Sequence, residues 1–368
     1  MTEEQQYMKQ ALALAERGCG WVSPNPMVGA VIVKDGRIIG RGWHQNYGGL
    51  HAERNALADC AEDPKDAEMY VTLEPCCHHG KTPPCTEAIV QSGIRRVVIG
   101  SSDPNPLVRG KGAAALRAHG ILVKEGVLKN QCDKLNAIFF HYITTRTPYV
   151  TLKYAMTLDG KIATATGQSR WITGEAAREQ VHRDRHRHSA IMVGVGTVLA
   201  DDPALTCRTE GGRNPVRIVC DTRLSTPVSA RVVQTAAEIS TILVTAEQDA
   251  SRCQPFLEAG CTVLHSAVQD GQIDLKRLMP ALGTRGIDSI LLEGGAAMHW
   301  SALRAGIVNR VQAYIAPKIF GGAGAKTPVG GNGVLLPGQG FRLEQMEVER
   351  FGEDLRIEGE VVSCLPES

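Results

Sequence analysis

The spacing of apolar and polar residues predicts helices and strands in alternation from the start of the chain. Apolar residues recur at helical spacing over 2–16, with a capping box at Thr2 and Gln5. An apolar run over 27–33 leads into an Asp-Gly dipeptide, which favours a tight hairpin, and a second strand follows over 37–43. The chain is therefore expected to open with a helix and a β-hairpin.

The first half then alternates between helical and extended patterns. We predict helices over 51–63, 84–92, 108–118 and 131–143, and strands over 68–73, 95–101 and 121–125. This order is typical of a mixed sheet with helices on its faces. The polar stretch from Thr144 to Pro148 interrupts the pattern, so we expect one domain over 1–146 and a second over 147–368.

The second half repeats the α/β rhythm and resembles a Rossmann-like alternation. We predict strands over 149–155, 189–195, 216–221, 240–245, 261–265, 287–292, 309–316, 342–349 and 355–362, and helices over 175–188, 274–283 and 296–305. The Gly-rich segment 321–340 is expected to be a loop. The sequence therefore predicts two α/β domains, in keeping with a length of 368 residues.

Charge and cysteine content narrow the class of protein. The 40 basic and 39 acidic residues give a net charge of +1, which disfavours partners such as nucleic acid or an anionic membrane. The N-terminus is acidic, and no apolar run is long enough to span a bilayer. An odd number of cysteines, 11, indicates reduced thiols. We therefore expect a cytoplasmic protein in which some thiols hold metal.

A histidine and two cysteines in the first half have the pattern of a catalytic zinc site. His51 is followed two residues later by Glu53, and Cys76 and Cys85 come further on. One imidazole and two thiolates leave the fourth zinc position open for water, and zinc lowers the pKa of that water to about 7. Glu53 is placed to carry a proton from the water to a leaving amine. The pattern predicts one zinc ion per chain and deaminase chemistry.

A structural zinc site, or cysteines that are merely buried, is the alternative interpretation. A closed site would need a fourth ligand from Cys77, His78 or His79. A structural site has no use for a carboxylate beside a ligand, so Glu53 favours the catalytic interpretation. The role of Cys77, and that of His78 against His79, stay open at this point.

The spacing of the cysteines carries a family resemblance. Zinc deaminases carry H-x-E and then P-C-x-x-C, but here eight residues instead of two lie between the two cysteines. The segments 72–76 and 78–85, and the run Pro-Asn-Pro-Met-Val-Gly over 24–29, resemble the deaminase domain of the bifunctional riboflavin-biosynthesis deaminase/reductase family. The resemblance implies a cytidine-deaminase-like fold for the first domain.

The resemblance also implies residues that hold an aminopyrimidine nucleotide in the first domain. These are Asn25, His44, Lys81 and Asn105. The two asparagines lie in Pro-Asn-Pro sequences, where Asn also forms turns for purely local reasons. Each of these assignments is therefore open to a structural interpretation.

Four ordered segments extend the resemblance to the second half. They are Val150–Ala163, Ser169–Gly174, Gly194–Thr206 and Leu291–Ala296, and they resemble the family's reductase domain, which has a dihydrofolate-reductase-like α/β fold. The glycine pair at 294 and 295 ends a strand before a helix, which suits a phosphate. Position 199 is Leu where a dinucleotide fingerprint has its third glycine, so ordinary strand-to-helix turns remain an alternative.

The resemblance implies two groups of contacts in the second domain. The cofactor contacts are Ala155, Trp171, Thr197, Asp201, Thr222, Gly294 and Gly295, and the substrate contacts are Ser169, Arg185, Leu205, Arg208 and Glu293. Arg185 and Arg208 are expected to clamp a 5′-phosphate bidentately. Only Arg185 is assigned from the His/Arg-rich run 182–188, because such a helix face is usually solvated. NADPH as the cofactor, in place of NADH, follows from the resemblance alone.

The implied function is a two-step conversion of a small nucleotide. Zinc-dependent deamination of 2,5-diamino-6-ribosylamino-4(3H)-pyrimidinone 5′-phosphate would precede NADPH-dependent reduction of the ribosyl group, giving 5-amino-6-ribitylamino-uracil 5′-phosphate. The alternatives are a nucleic-acid deaminase with a tRNA-binding second half, which the neutral charge disfavours, and an inactive zinc-stabilised scaffold. A homo-oligomer, dimer or tetramer, is expected, and channelling between the two sites is left open.

Overall fold

The computed structural model describes residues 1–78, 83–106 and 108–362. The chain divides into two compact units, Met1–Arg146 and Thr147–Ser368. Within the described residues, no helix has both the length and the apolar character needed to cross a membrane. Each unit is built on its own sheet and its own apolar core.

The first unit is a five-stranded mixed sheet with helices packed on it. Its strands are β1 (Gly29–Lys34), β2 (Arg37–Trp43), β3 (Glu68–Leu73), β4 (Arg96–Ser101) and β5 (Leu122–Glu125). Its helices are α1 (Glu3–Glu16), α2 (Ala52–Ala58), α3 (Cys85–Gln91), α4 (Lys111–Ala118), α5 (Lys129–Leu135) and α6 (Ala137–Thr145). The strand order is β2-β1-β3-β4-β5, antiparallel around β1 and parallel from β3 to β5.

The start of the chain forms as its pattern predicts. Thr2 accepts a hydrogen bond from the backbone N–H of Gln5, and the Gln5 side chain accepts one from the backbone of Thr2, which completes the capping box. Met8 is fully buried on the face of α1 that packs on the sheet. The predicted mixed sheet with flanking helices is confirmed.

Two helices of the first unit differ from their predicted extents. The predicted helix over 131–143 is broken at Asn136, whose side chain accepts from the backbone N–H of Met27 at 2.8 Å and donates to its carbonyl at 2.9 Å. The predicted helix over 51–63 ends at Ala58, because Ala61 N–H bonds to the Ile39 carbonyl of β2 instead of continuing the helix. In both places a hydrogen bond to a distant part of the chain accompanies the interruption of the helix.

The second unit is a nine-stranded sheet. Its strands are β6 (Tyr149–Thr157), β7 (Ala190–Gly194), β8 (Val216–Cys220), β9 (Thr241–Thr245), β10 (Thr262–His265), β13 (Ser289–Leu292), β14 (Val308–Ala316), β15 (Arg342–Phe351) and β16 (Asp354–Val362), while β11 (Val268–Gln269) and β12 (Gln272–Ile273) form a separate small hairpin. The order is β10-β9-β8-β7-β13-β6-β14-β16-β15. The first seven strands in this order, β10, β9, β8, β7, β13, β6 and β14, are parallel to one another. Strands β16 and β15 are added antiparallel at one edge.

Helices cover both faces of this sheet. They are α7 (Glu175–Arg187), α8 (Val195–Asp201), α9 (Arg231–Gln234), α10 (Ala250–Glu258), α11 (Leu275–Gly283) and α12 (Ala296–Arg304). Two apolar clusters, around Leu292 and around Val219, fill the two sides. The predicted α/β fold is confirmed, and its parallel strands place their carboxyl ends at one edge, where ligands bind in such sheets.

Sequence patterns missed several short elements of this unit. Helix α8 begins directly at the end of β7, inside a stretch interpreted as strand and glycine turn. Helix α10 contains Pro255, a residue that argues against helix by itself. The segment 321–340 is irregular apart from one short 3₁₀ turn, Pro337–Gln339, as predicted.

Candidate active sites

Three potential metal ligands converge in the first unit. His51 immediately precedes α2, Cys85 is the first residue of α3, and Cys76 follows β3. The Nδ1 atom of His51 lies 3.5 Å from Cys76 Sγ and 3.3 Å from Cys85 Sγ. The three ligand atoms lie within 4.8 Å of one another. The predicted ligand set is therefore brought together by the starts of two helices and the end of a strand.

The chemistry of this cluster fits zinc. A hydrogen bond from the Cys85 thiol lowers the pKa of Cys76 to about 4. Burial acts in the opposite direction, whereas His51 lowers the pKa further. The backbone N–H of Cys85 also donates to Cys76 Sγ at 3.3 Å. Two cysteine thiolates and one imidazole form a donor set that is found in catalytic zinc sites. Among the described residues, neither Cys77 nor His78 joins the cluster as a fourth ligand.

Glu53 lies directly beside the ligands. It is 3% exposed in the first turn of α2, and its carboxylate hydrogen-bonds with the Cys85 thiol. Burial, followed by the negative charge of Cys76, raises the pKa of Glu53, although His51 acts in the opposite direction. Glu53 is therefore a buried carboxylate that readily holds a proton next to the metal ligands.

A cavity of about 350 Å³, here called the first-unit cavity, opens beside these residues. The predicted contacts Asn25, His44 and Asn105 line it. His44 donates from Nδ1 to the Leu50 carbonyl at 3.0 Å, so its neutral Nε2 accepts from the Asn25 amide at 3.2 Å. This pairing fixes the orientation of the Asn25 side chain. Lys81, the fourth predicted contact, and His79 lie outside the described residues.

Two buried carboxylates of this cavity were missed by the sequence analysis. Glu74 accepts from the backbone N–H groups of Gly110 at 3.0 Å and Ala113 at 3.1 Å, and it thereby fixes the loop that carries Asn105. Asp103 accepts from the backbone N–H of Asn105 at 2.8 Å, while burial raises its pKa to about 6. A charged residue immediately after a buried strand, such as Glu74 after β3, is the signal that would have found the first of them.

A second cavity, of about 610 Å³, lies in the second unit and is called the Lys153 cavity. All five predicted substrate contacts line it: Ser169, Arg185, Leu205, Arg208 and Glu293. The predicted cofactor contacts Ala155 and Trp171 line it as well, and the Trp171 side chain is 60% exposed. The structure therefore brings together residues that are far apart in the chain, such as Ala155 and Glu293, which are 138 positions apart.

Lys153 also lines this cavity and was not selected from the sequence. Its amine lies 3.8 Å from the Glu293 carboxylate, and burial lowers its pKa. A lysine inside the parallel strand β6 is unusual, since such strands are buried on both faces. That departure from an apolar run is the signal that would have identified it.

The geometry of Arg185 revises the predicted phosphate clamp. Its Nε and Nη2 donate to the two oxygens of Glu293 at 2.8 and 2.9 Å, and Nη1 donates to the Thr206 carbonyl at 2.9 Å. The bidentate edge assigned to a phosphate is therefore occupied by Glu293. Burial opposes ionisation of Glu293, but Arg185 and Lys153 together lower its pKa to about 2. Arg185 can offer a phosphate only its remaining N–H groups.

The other predicted cofactor contacts gather where β7, β8 and β13 end. Thr222 lines a third cavity of about 300 Å³, the Thr222 cavity, together with Gly194 and Gly196. A Cβ atom built on Gly295 would lie 3.7 Å from Thr197 Oγ1, and one on Gly294 would lie 3.8 Å from the backbone nitrogen of Gly194. Asp201, at the end of α8, accepts from Arg170 through its carbonyl at 2.8 Å.

These strand ends fit a dinucleotide. A Cβ atom on Gly196 would meet nothing within 4 Å, so there is open space beside the backbone of the first turn of α8. Close approach of backbone N–H groups to a pyrophosphate requires such space. Gly194 at the end of β7, Gly196 in the first turn of α8, and Gly294 and Gly295 after β13 are thus placed to receive a dinucleotide at the sheet edge.

Two family models match the two units. The cytidine and deoxycytidylate deaminase zinc-binding region matches residues 1–101. The RibD C-terminal domain matches residues 148–357. The chain is 54% identical to the riboflavin biosynthesis protein RibD of Actinobacillus pleuropneumoniae, over 98% of this chain and 96% of that protein. It is 44% identical to RibD of Aquifex aeolicus, over 96% of this chain and 97% of that protein.

Solved structures give the same result. A diaminohydroxyphosphoribosylaminopyrimidine deaminase/5-amino-6-(5-phosphoribosylamino)uracil reductase from Thermotoga maritima is 41% identical with a TM-score of 0.85, covering 98% of this chain and 99% of that one. RibD of Acinetobacter baumannii is 35% identical with a TM-score of 0.86, over 98% of this chain and 99% of that one. Similarity over the full length, in sequence and fold, shows that this chain belongs to the RibD family of riboflavin biosynthesis proteins.

Proposed function

We propose that this chain deaminates 2,5-diamino-6-ribosylamino-4(3H)-pyrimidinone 5′-phosphate and then reduces its ribosyl group with NADPH. The observation that carries the proposal is the cluster of His51, Cys76 and Cys85 with Glu53 beside it at the first-unit cavity. The product is 5-amino-6-ribitylamino-uracil 5′-phosphate. Similarity to RibD proteins over both units supports the order of the two reactions.

In the deamination, water replaces an amino group of the pyrimidine and ammonia leaves. His51, Cys76 and Cys85 would hold a zinc ion, which would lower the pKa of the attacking water to about 7. Glu53 is placed to accept a proton from water and to deliver it to the leaving amine. The fixed amide of Asn25 offers a hydrogen bond to the base or its ribose. The apolar side of the cavity, with Val28, Leu73 and Phe139, suits the face of a planar ring.

In the reduction, a hydride adds to C1 of the ribosyl group, the bond between C1 and the ring oxygen opens, and a proton is taken up by the hydroxyl group released. NADPH supplies the hydride, and the chain contributes position and electrostatics. The Lys153 cavity is lined by one amine, one carboxylate and five guanidinium groups. Glu293 is held ionised by Arg185 and Lys153, so it can accept hydrogen bonds from a polyhydroxylated chain. Arg208 is the guanidinium of this cavity that we assign to the 5′-phosphate.

We further propose that the protein is a cytoplasmic homo-oligomer, a dimer or a tetramer. The zinc ligands Cys76 and Cys85 require a compartment that keeps thiols reduced. The edge strand β15 exposes Met346 and Val348, and an exposed strand edge with apolar side chains is a surface on which another chain can pair. Light scattering on the purified protein gives its mass; a monomer at all concentrations would contradict the oligomer.

One assay tests both activities. The purified zinc-loaded chain is mixed with the diaminopyrimidine nucleotide and NADPH, and ammonia release and NADPH oxidation are followed together. We expect ammonia first and NADPH consumption afterwards. Ammonia without NADPH consumption would remove the assignment of the second unit, and the absence of both would contradict the proposed function.

A further inference from the structure

The Thr222 cavity carries opposite charges on one short turn. Among the described residues that line it, Asp221 is the acidic one and Arg223 the basic one. Both follow the carboxyl end of β8, next to the glycine turn that ends β7. In sites for nicotinamide dinucleotides, an acidic residue at such a position binds the ribose 2′-hydroxyl of NAD, whereas an arginine accommodates the 2′-phosphate of NADP. The state of these two residues therefore bears on cofactor choice.

Asp221 is fully engaged by its own turn. Its Oδ1 accepts from the Ser225 hydroxyl at 3.0 Å, and its Oδ2 accepts from both the backbone N–H of Thr226 at 2.6 Å and the Thr226 hydroxyl at 2.7 Å. The residue is 1% exposed. A carboxylate held in this way has neither the accessibility nor the orientation to receive a ribose diol. The usual NAD-selecting contact is thus absent from Asp221.

Arg223 is in the opposite situation. Its side chain is exposed, and its guanidinium makes no hydrogen bond or ion pair with another described residue. Its backbone is fixed on both sides: the Thr222 carbonyl accepts from Ala246 N–H at 3.1 Å, and the Arg223 carbonyl accepts from Arg252 at 3.0 Å. A rigid turn therefore presents an uncommitted cation to the cavity. An arginine with unused N–H groups matches a phosphate in charge and geometry.

We propose that Arg223 binds the 2′-phosphate of NADPH and makes this protein select NADPH over NADH. The inference rests on the proposed reductase function, which supplies the dinucleotide. It assigns the selection to one residue that neither the glycine turns nor the family motifs had identified. The locked Asp221 contributes by offering the 2′-hydroxyl of NADH no compensating acceptor.

Direct binding measurements test this assignment without any turnover. We expect Arg223→Ala to raise the Kd for NADPH by about 10- to 100-fold, the range for a lost hydrogen-bonded charge pair, and to change the Kd for NADH less than about twofold. Arg223→Lys keeps the charge without the planar fork, so its Kd for NADPH should lie between those of wild type and Arg223→Ala. Adenosine 2′,5′-bisphosphate carries the 2′-phosphate and ADP does not, so titration with both isolates the effect of this group. Arg223→Ala should weaken the binding of adenosine 2′,5′-bisphosphate and should leave the binding of ADP unchanged.

Arg277→Ala is the matched control, because Arg277 is an arginine of the same unit, has a side chain 77% exposed and does not line the Thr222 cavity. Thermal unfolding checks that each variant is folded. Equal loss of NADPH and NADH binding, or no loss of either, in a folded Arg223→Ala protein would overturn the assignment while leaving the reductase function intact. Failure of wild type to bind either dinucleotide would overturn the assignment together with the function on which it rests.

Discussion

Arg185 holds Glu293 through two parallel hydrogen bonds, although 108 residues separate them in the chain. Lys153 approaches the same carboxylate at 3.8 Å, so one acid balances two cations in the Lys153 cavity. Breaking a buried ion pair by removing one partner leaves a charge without compensation, at a cost of about 3–5 kcal/mol. The cavity therefore depends on Glu293 for folding as well as for binding.

Replacement of Glu293 by Gln should affect the second unit alone. We expect the free energy of unfolding of that unit to fall by about 3 kcal/mol and NADPH oxidation to be lost, because Lys153 and Arg185 are then uncompensated. Ammonia release by the first unit should persist. Glu238→Gln, at an exposed position of the same unit, is the control. A folded Glu293→Gln protein with unchanged stability and reduction would show that the pair is dispensable.

Glu53→Gln tests the proton carrier of the deaminase. The amide keeps the size of the side chain but cannot transfer the proton, so we expect ammonia release to fall by about 10²–10⁴-fold. Zinc content, measured by atomic absorption, should stay at one per chain, since Glu53 is not among the ligands. NADPH oxidation with the deaminated nucleotide should be unchanged. Turnover equal to that of wild type would remove Glu53 from the mechanism.

Serine variants of Cys76, Cys77 and Cys85 distinguish the cysteines that bind zinc from the one that does not. Cys76→Ser and Cys85→Ser each delete a ligand atom of the cluster and should abolish stoichiometric zinc binding. Cys77→Ser should retain one zinc per chain, because Cys77 does not belong to the cluster. Zinc loss in Cys77→Ser with retention in Cys85→Ser would mean that the ligand set differs from the one described.

Substitution of Gly294 and Gly196 by Ala should have different effects: the first should lower the stability of the second unit, and the second should weaken NADPH binding. A Cβ atom on Gly294 would lie 2.7–2.8 Å from Met298 side-chain carbons, so Gly294→Ala should lower the stability of the unit by about 1–3 kcal/mol. Gly196→Ala meets no atom within 4 Å and should fold normally. Its methyl group would still stand where a dinucleotide approaches the backbone, so the Kd for NADPH should rise at least about tenfold. Unchanged NADPH binding in Gly196→Ala would place the dinucleotide elsewhere.

His188 should make the second unit sensitive to acid. Burial lowers its pKa to about 4, from an ordinary value of 6.5, although its hydrogen bond to the Asp184 carbonyl acts in the opposite direction. A histidine with a depressed pKa contributes stability that is present above the unfolded pKa and is lost as the pH falls towards the folded value. The loss between pH 6.5 and 4 is at most about 3 kcal/mol.

The comparison of His188→Asn with wild type measures this contribution. The His188→Asn variant is expected to have a lower free energy of unfolding than wild type at pH 7. The difference should shrink as the pH falls to 4.5, because wild type loses stability as His188 becomes protonated in the unfolded state. Hydrogen exchange of the β6 amides measures both values. A difference that stays constant over this range would show that His188 does not titrate as described.

The sequence predicted the ligands of the first unit because they lie at characteristic spacings. His51 caps the start of α2 and Glu53 lies in its first turn, while Cys76 and Cys85 are nine positions apart in the chain, so short sequence spacings were enough to identify the site. The predicted substrate contacts of the second unit also meet at one cavity, yet their pairing was invisible. Nothing near Arg185 in the chain indicates that Glu293 occupies its bidentate edge.

The elements that were missed show the same limit. Helix α10 forms although Pro255 argues against it, because the helix packs Phe256 into a core assembled from distant strands. Helix α2 stops at Ala58 because the next residues pair with β2. Local pattern establishes the type of most elements, whereas tertiary pairing determines where they end and which charges meet.

Asn136 has a consequence for the order in which the molecule is made. Its amide imitates a peptide group and ties Met27 to the junction between α5 and α6, across 109 residues of chain. Asn25, which lines the first-unit cavity, lies two residues before Met27. The ribosome must therefore synthesise most of the first unit before Asn136 is available to fix this side of the cavity. A nascent chain halted after residue 101, where the match to the zinc-binding region ends, would contain His51, Cys76 and Cys85 but would still lack Asn136, which holds the backbone of Met27 beside Asn25.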